Sequence, residues 1–263
     1  MRFDSGPSAC QTGRVSNVFY APGEPRAAKV NDLFAAIARR YDLLNDLQSF
    51  GLHRRWKRRV AALAAPAPGA RALDLCCGTG DIAFALAQRG AETTGLDFSE
   101  KMLEVAESRR SKANRKSQIV NLKFLEGDAQ QLPFPDKSFD IVTVGYGLRN
   151  LASWECGLDE MFRVARPGAR LIVLDFGKPP NALWRRIYFT HLKISVPFIG
   201  WLFCGNAQAY AYILESLKHY PAQQAVAEKM RALKLANVRV INLLGGAMAI
   251  NYGEKPAGKF LTE

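Results

Sequence analysis

The stretch that decides the fold is Ala72-Leu73-Asp74-Leu75-Cys76-Cys77-Gly78-Thr79-Gly80-Asp81, followed by Asp97 at the end of a second apolar run, Thr93 to Leu96. The first run ends in a carboxylate and a glycine pair, and a helix-like segment from Asp81 to Gln88 comes next. That order describes a strand feeding a glycine-rich turn at a helix N-terminus, where backbone can approach a nucleotide-like ligand closely. A carboxylate at Asp97 can accept both hydroxyls of a ribose. The pattern predicts a ligand built on adenosine.

Two cofactors compete for it. Gly78, Gly80 and Ala83 satisfy the Gly-x-Gly-x-x-Gly/Ala dinucleotide fingerprint, with Asp97 at a suitable distance downstream. That match alone does not separate NAD from S-adenosylmethionine, but the surroundings favour the latter. Asp74 lies within the first strand, four residues before Gly78, where it can reach the turn and a cofactor's free ammonium. A third apolar run ends in Glu126-Gly127-Asp128-Ala129, with Leu132-Pro133-Phe134-Pro135 after it. An acid at that strand end is placed to take a hydrogen bond from an adenine amine. Any one of these acids also reads as a helix cap or turn residue. Acids at three successive strand ends point together to an adenosyl group.

Composition fits one enzyme-sized domain of 263 residues, 48% hydrophobic and 23% charged, with no break that splits it. The five cysteines are scattered, apart from adjacent Cys76 and Cys77, and show no Cys-x-x-Cys or Cys/His spacing. A reducing, cytosolic setting and no metal are expected. The N-terminus has no apolar signal core, and no uninterrupted apolar run approaches the ~20 residues of a membrane span.

The net charge of +12 concentrates at Arg39-Arg40, at His53-Arg54-Arg55-Trp56-Lys57-Arg58-Arg59, and from Arg109-Arg110 to Arg115-Lys116. Solvated helix faces account for such runs, the third above all. An anionic membrane surface and a nucleic-acid backbone are the functional readings. Trp56 suits an interfacial anchor and would also suit base stacking. Charge does not choose between them.

Residues 1–25 read as a flexible arm, 26–253 as the folded domain, and 254–263 as a tail. Val30, Leu33, Phe34, Ile37 and Tyr41 recur at helical spacing, and a second, basic helix covers His53 to Ala65. Pro66-Ala67-Pro68-Gly69 then marks the entry to the core. Strands are expected at 71–76, 92–97, 119–125, 139–144 and 170–176, and helices at 81–89, 99–113 and 153–166. Ser99 and Ser153 are candidate N-caps, while Gly90 and Pro167-Gly168 are stops. This alternation argues for a parallel α/β sheet covered on both faces. Val238 to Leu244 and Ala247 to Tyr252, joined by Gly245-Gly246, read as a closing hairpin. A mostly parallel seven-stranded sheet ending in an antiparallel hairpin is how the class I S-adenosylmethionine methyltransferase fold ends.

The segment 178–220 stands outside this pattern. It carries Trp184, Tyr188, Phe189, Phe198, Trp201, Phe203, Tyr210 and Tyr212, and Pro179, Pro180, Pro197 and Gly200 break it. It reads either as a helical insertion packed on the core or as a cap over a greasy, aromatic substrate at the ligand-binding edge.

The chain resembles the C-methyltransferases of ubiquinone and menaquinone biosynthesis, from about Ala27 to Gly253. The resemblance is carried by Phe34-x-x-Ile37-Ala38-x-x-Tyr41-Asp42-x-x-Asn45 and Ser49-x-Gly51-x-His53-Arg54-x-Trp56-Lys57. The stretches Asp74 to Asp81, Gly95 to Leu103, Gly127-Asp128-Ala129, Gly147-Leu148-Arg149-Asn150, Arg163-Val164-x-x-Pro167-Gly168, Tyr210-x-Tyr212 and Glu215-Ser216 extend it. The resemblance implies methyl transfer from S-adenosylmethionine to a prenylated quinol ring: demethylmenaquinol, the ubiquinol precursor, or both. It implies that Gly78, Thr79 and Gly80 cradle the methionine part with Asp74 nearby. It places Asp97 on the ribose, Phe98 and Met102 against the adenine, and Asp128 and Ala129 at the adenine edge. Arg149, Asn150 and Tyr41 would form the polar cluster at the quinol hydroxyl.

A neutral quinol carbon is a poor nucleophile, and a phenol of pKa ~10 is scarcely ionised at neutral pH, so the site must help form the phenolate. Arg149 stays protonated and is assigned phenolate stabilisation or water positioning rather than base chemistry. Tyr41 also shares the apolar stripe of its helix, which reads as core. The family's usual histidine near the hairpin is Asn251 here, which leaves water, His53 or a carboxylate to take the proton. His191 and His219 read as structural or surface residues.

The expected setting is cytoplasmic, peripheral at the inner face of the membrane, with an anionic surface as partner, no nucleic acid, and a homodimer as the oligomer to test for. Two other readings stay open. A nucleic-acid methyltransferase would use the basic runs, although no Asn-Pro-Pro-Tyr-like or catalytic cysteine motif is present. A non-catalytic scaffold of a quinone-synthesis complex is encouraged by Asn251 alone.

Overall fold

The computed structural model describes residues 32, 35, 38, 41–117, 121–204, 216–217 and 220–257, without the side chains of 44, 114–117 and 196–204. The arm over 1–25, the stripe at Val30, Leu33, Phe34 and Ile37, and Tyr210, Tyr212, Glu215 and His219 lie outside these residues, as do the side chains of Phe198, Trp201 and Phe203.

Alternating apolar runs and amphipathic segments give β1 (Arg71–Leu75), β2 (Glu92–Asp97), β3 (Leu122–Glu126), β4 (Phe139–Gly145) and β5 (Ala165–Phe176), then β6 (Ala236–Leu243) and β7 (Met248–Glu254). They form one seven-stranded sheet in the order β3-β2-β1-β4-β5-β7-β6. The first five strands run parallel, and β7 lies antiparallel between β5 and β6. This is the expected mostly parallel sheet with its closing hairpin.

The described helices are α1 (Tyr41–Ser49), α2 (Leu52–Ala64), α3 (Asp81–Ala87), α4 (Glu100–Ser117), α5 (Trp154–Val164), α6 (Ala182–Cys204) and α7 (Ala222–Ala232). Strand alternation divides the core between the two faces of the sheet. Leu73, Leu75, Val142, Val144, Leu171 and Val173 pack with Leu158 and Met161 of α5 and Val226 and Met230 of α7. Ala72, Ile141, Ile172 and Ile250 point the other way, onto Trp56 and Val60 of α2 and Ile82 and Leu86 of α3.

The structure corrects several expectations. Trp56 is buried on Val60 and Ala64 and is no surface anchor. Strand β5 starts at Ala165, directly after α5, instead of at 170. Its pairing with β4 jumps between Ala165 and Arg170, because Pro167 has no N–H to give the ladder and Gly168 turns out at φ 83°. Pro197 and Gly200 do not break the insertion: α6 runs 23 residues through both. Once nucleated, a helix gains a bond per residue, so a single missing donor need not end it. Among the described residues, no helix is long and apolar enough to cross a membrane.

Candidate active site

The cleft lies at the carboxyl ends of the parallel strands, where an open α/β sheet binds ligands. After β1 the chain turns sharply, with Cys76 at φ 49° and Gly80 at φ 88°. The Cys77 N–H donates to the Leu96 carbonyl at 3.0 Å, and the Gly80 N–H to the Cys77 carbonyl at 2.9 Å. A side chain at Gly80 would be strained by the positive φ, and its β-carbon would stand 2.8 Å from Phe124 Cζ. α3 starts at once, and its first turn is clamped by charge. Lys57 Nζ reaches Asp81 Oδ2 at 2.9 Å, and Arg109 Nη2 reaches Asp81 Oδ1 at 2.6 Å. Burial opposes the Asp81 charge, yet these two cations hold its carboxyl well below the usual range.

Asp97 is the hinge of the cleft. Its Oδ2 accepts the Gly78 N–H at 2.7 Å and its Oδ1 the Ser99 N–H at 2.9 Å. A carboxylate has about four acceptor positions, so room remains for a diol. Burial pushes the Asp97 carboxyl up, against those backbone donors. Beside it, the Ser99 hydroxyl is buried and has no hydrogen-bond partner among the described residues. Gly78, Asp97, Phe98, Ser99, Met102, Asp128 and Ala129 share one cleft with Tyr41, Tyr146 and Asn150. The cleft, open mouth included, holds ≈ 880 Å³, in the range (~300–1,000 Å³) of small-molecule pockets. Met102 forms the buried wall, while Phe98 stands 47% exposed at the rim. Asp128 Oδ1 accepts the Gln130 N–H at 2.8 Å, a turn that fixes the carboxylate at the end of β3.

Four sequence-predicted residues do not line the cleft. Asp74 is buried beneath it, accepting the Ala83 N–H at 3.1 Å and the Thr143 hydroxyl at 2.7 Å. Burial raises its carboxyl to about 7, against the Thr143 hydrogen bond. It anchors α3 to the sheet from beneath the cleft. Thr79 turns toward α1, donating to Asp42 Oδ1 at 2.9 Å, while its carbonyl accepts Arg109 Nη1 at 2.7 Å. Gly80 supports the turn from behind. Arg149 is the larger surprise. Its guanidinium is buried against Asp175, with Nη1 3.3 Å from Oδ1, and lies 4.7 Å from the Phe176 ring centroid. Nη1 also donates to the Tyr146 carbonyl. The cation therefore holds the cleft floor from below.

Tyr41 and Asn150 do reach the cleft. Tyr41 lies over the glycine turn, its Cε1 3.9 Å from where a Gly78 β-carbon would sit. Asn150 Nδ2 donates to the Tyr146 carbonyl at 3.2 Å. Asn251 is elsewhere: its Nδ2 donates to the Gln223 carbonyl at 2.7 Å in the core, tying β7 to α7. His53 is also spent, with Nε2 2.8 Å from Asp46 Oδ1; burial, then Lys57, lowers its pKa, and it does not line the cleft. Neither is placed to act as the base. Sequence reasoning missed Asp175 and Tyr146, both at strand ends like the acids it found.

Residues 24–255 match the family model described as the ubiE/COQ5 methyltransferase family. A demethylmenaquinone methyltransferase of Thermus thermophilus is 44% identical, over 85% of this chain and 100% of the relative. The ubiquinone/menaquinone biosynthesis C-methyltransferase UbiE of Francisella tularensis subsp. novicida is 37% identical, over 89% of this chain and 94% of its own. The chain belongs to the ubiE/COQ5 methyltransferase family. A Thermotoga maritima S-adenosylmethionine-dependent methyltransferase structure shares the fold at a TM-score of 0.54, with 20% identity over 84% of this chain and 99% of that one.

Family membership and geometry agree on the cofactor. In this ubiE/COQ5 member, Asp97 with spare acceptor capacity, the unpartnered Ser99 hydroxyl, the Gly78 backbone and the Met102 wall fit S-adenosylmethionine. Among the described residues, no group of three or more His, Cys, Asp or Glu is placed to hold a metal.

Proposed function

We propose that this chain methylates a ring carbon of a prenylated quinol, demethylmenaquinol or the ubiquinol precursor, with S-adenosylmethionine as donor. The observation that carries the reading is one cleft that joins an adenosyl-binding wall to Tyr41, Tyr146 and Asn150, in a chain of this family. Bound S-adenosylmethionine supplies an electrophilic methyl on a sulfonium. Asp97, Ser99 and Met102 fix its position, and Tyr41 covers the glycine turn beside the reacting space.

The ring hydroxyl gives up its proton as the neighbouring ring carbon takes the methyl from the sulfonium, which leaves as a thioether; the ring carbon then loses its own proton and the oxygen regains one, so a single proton is released. Tyr41 and Asn150 are the polar side chains assigned to that hydroxyl, and Arg149, paired with Asp175, donates to the same Tyr146 carbonyl as Asn150. The reduced ring is required because a quinone has no hydroxyl to ionise.

The reading includes a peripheral seat on an anionic membrane. On α6, Leu183, Ile187 and Ile194 are exposed, and Phe50 between α1 and α2 is 86% exposed. Arg54, Arg55, Arg58 and Arg59 of α2 are exposed beside buried Trp56 and Lys57. Exposed apolar side chains together with exposed cations are what a headgroup layer attracts. Co-sedimentation with anionic but not zwitterionic vesicles is the expected result, and loss of it in a Leu183→Ser, Ile187→Ser double variant checks the face.

The activity is tested with labelled S-adenosylmethionine and reduced demethylmenaquinone or the reduced ubiquinone precursor in detergent, with product mass as readout. Transfer to either ring supports the reading and names the ring. Cofactor binding without transfer to either overturns it.

A further inference from the structure

Tyr146 is held in a conformation that a residue with a β-carbon avoids. Its φ is 62°, in the left-handed region. The backbone is secured on several sides: its N–H donates to the Leu174 carbonyl at 2.7 Å, and its carbonyl accepts from Arg149 Nη1 and from Asn150 Nδ2. The ring is fixed as well. It meets Phe176 edge-on at 5.9 Å between centroids, and Lys57 Nζ lies 5.8 Å from its centroid. Tyr146 forms part of the cleft wall.

Its hydroxyl is the anomaly. The oxygen is buried and has no hydrogen-bond partner among the described residues. Burial drives the phenol well above its ordinary pKa, with Tyr41 and Asp175 adding to the shift and Arg149 opposing it, so the proton stays on. Phenylalanine would fill the same volume and keep the Phe176 and Lys57 contacts without leaving a polar group unsatisfied. Among the described residues, the fold gains nothing from the oxygen. A strained residue, fastened by its backbone and carrying an unspent donor beside a cleft, is arranged for a ligand.

We propose that the Tyr146 hydroxyl is a substrate-binding group that donates a hydrogen bond to a ring oxygen of the acceptor. The proposal rests on the quinol reading above. A ring entering the cleft between Tyr41 and Asn150 brings that hydroxyl an oxygen acceptor. The bond strengthens as that oxygen becomes anionic, and a ring without oxygen there leaves the hydroxyl unsatisfied, which gives selectivity.

The test compares wild type with Tyr146→Phe on reduced demethylmenaquinone and on the reduced ubiquinone precursor. S-adenosylmethionine affinity is measured by calorimetry, and Tm without ligands. The expected result is a quinol KM raised ~3- to 10-fold, as for loss of one neutral hydrogen bond, with cofactor Kd within about twofold of wild type and Tm unchanged or higher. An unchanged quinol KM overturns the proposal. So does a lowered Tm, which would mean the hydroxyl is satisfied within the fold, or a cofactor Kd weakened by the same factor as KM. Wild type reads the underlying assignment separately: if it binds cofactor but methylates neither quinol, the substrate class is wrong and the Tyr146 role falls with it.

Discussion

Two glycine-flanked turns stand side by side at the ends of β1 and β4, and they are built to opposite ends. In the first, Cys77-Gly78-Thr79-Gly80, the described polar groups are engaged: Gly78 by Asp97, Thr79 by Asp42 and Arg109, and Gly80 by Cys77. Its left-handed conformations fall on glycines after Cys76. In the second, Gly145-Tyr146-Gly147, a tyrosine takes the left-handed position and its hydroxyl is left over. The first turn offers the cofactor side of the cleft a surface whose polar groups are already spent. On the proposal above, the second keeps a donor for the acceptor. The two touch, since a β-carbon on Gly147 would stand 2.2 Å from Cys76 Cβ.

The largest effect is expected from removing what holds the second turn. Asp175→Ala strands the Arg149 cation in the core, and breaking a buried pair costs ~3–5 kcal/mol; urea denaturation should show it, while the matching change under the first turn, Asp42→Ala, should cost well under half as much. Next comes the cofactor side. Asp97→Ala removes two backbone hydrogen bonds and the ribose acceptor, and charged hydrogen bonds of ~1.5–3 kcal/mol translate to ~10- to 100-fold in S-adenosylmethionine Kd. Calorimetry that finds Kd unchanged would remove Asp97 from the binding wall. Gly147→Ala drives the turns apart at Cys76, an overpacking cost of ~1–3 kcal/mol, and should raise cofactor Kd and quinol KM together. If only one responds, the turns are not coupled.

A separate prediction concerns pH dependence. Burial raises Asp74 from 3.8 to about 7 in the folded chain, so the folded state holds this proton more tightly than the unfolded one. Its contribution to stability is therefore fully present at acid pH below the unfolded value and is lost as pH rises through about 7. Asp74→Asn cannot ionise. Its stability relative to wild type should improve steadily between about pH 4 and about pH 7 and then level off, which denaturation at a series of pH values would show. A constant difference would mean that Asp74 is not the titrating group.

What could be read in the sequence followed from how local its cause is. The strands, the first glycine turn and the acids at Asp97 and Asp128 are set by apolar runs and short spacings, and the structure puts those acids in one cleft. Asp74 was legible as a strand-end acid but not as a buried anchor, because its partners Ala83 and Thr143 depend on strand pairing. Asp175 carries the same signal at the end of Leu171-Ile172-Val173-Leu174 and could have been found by it. What the sequence hides is its partner, which only the β4–β5 register supplies. Trp56 seemed a surface residue because its neighbours are basic, although Trp56, Val60 and Ala64 form a helical apolar stripe. Asn251 looked like a lost base because the resemblance gives a residue type and not a direction; its side chain points to the Gln223 carbonyl.

The contact between Gly147 and Cys76 makes the two turns one mechanical part. Bulk gained at position 147 is felt at Cys76, at the foot of the glycine turn that Asp97 holds. On the quinol proposal, a change of acceptor ring is met more easily by the side chains of Tyr41, Tyr146 and Asn150 than by the turn backbones.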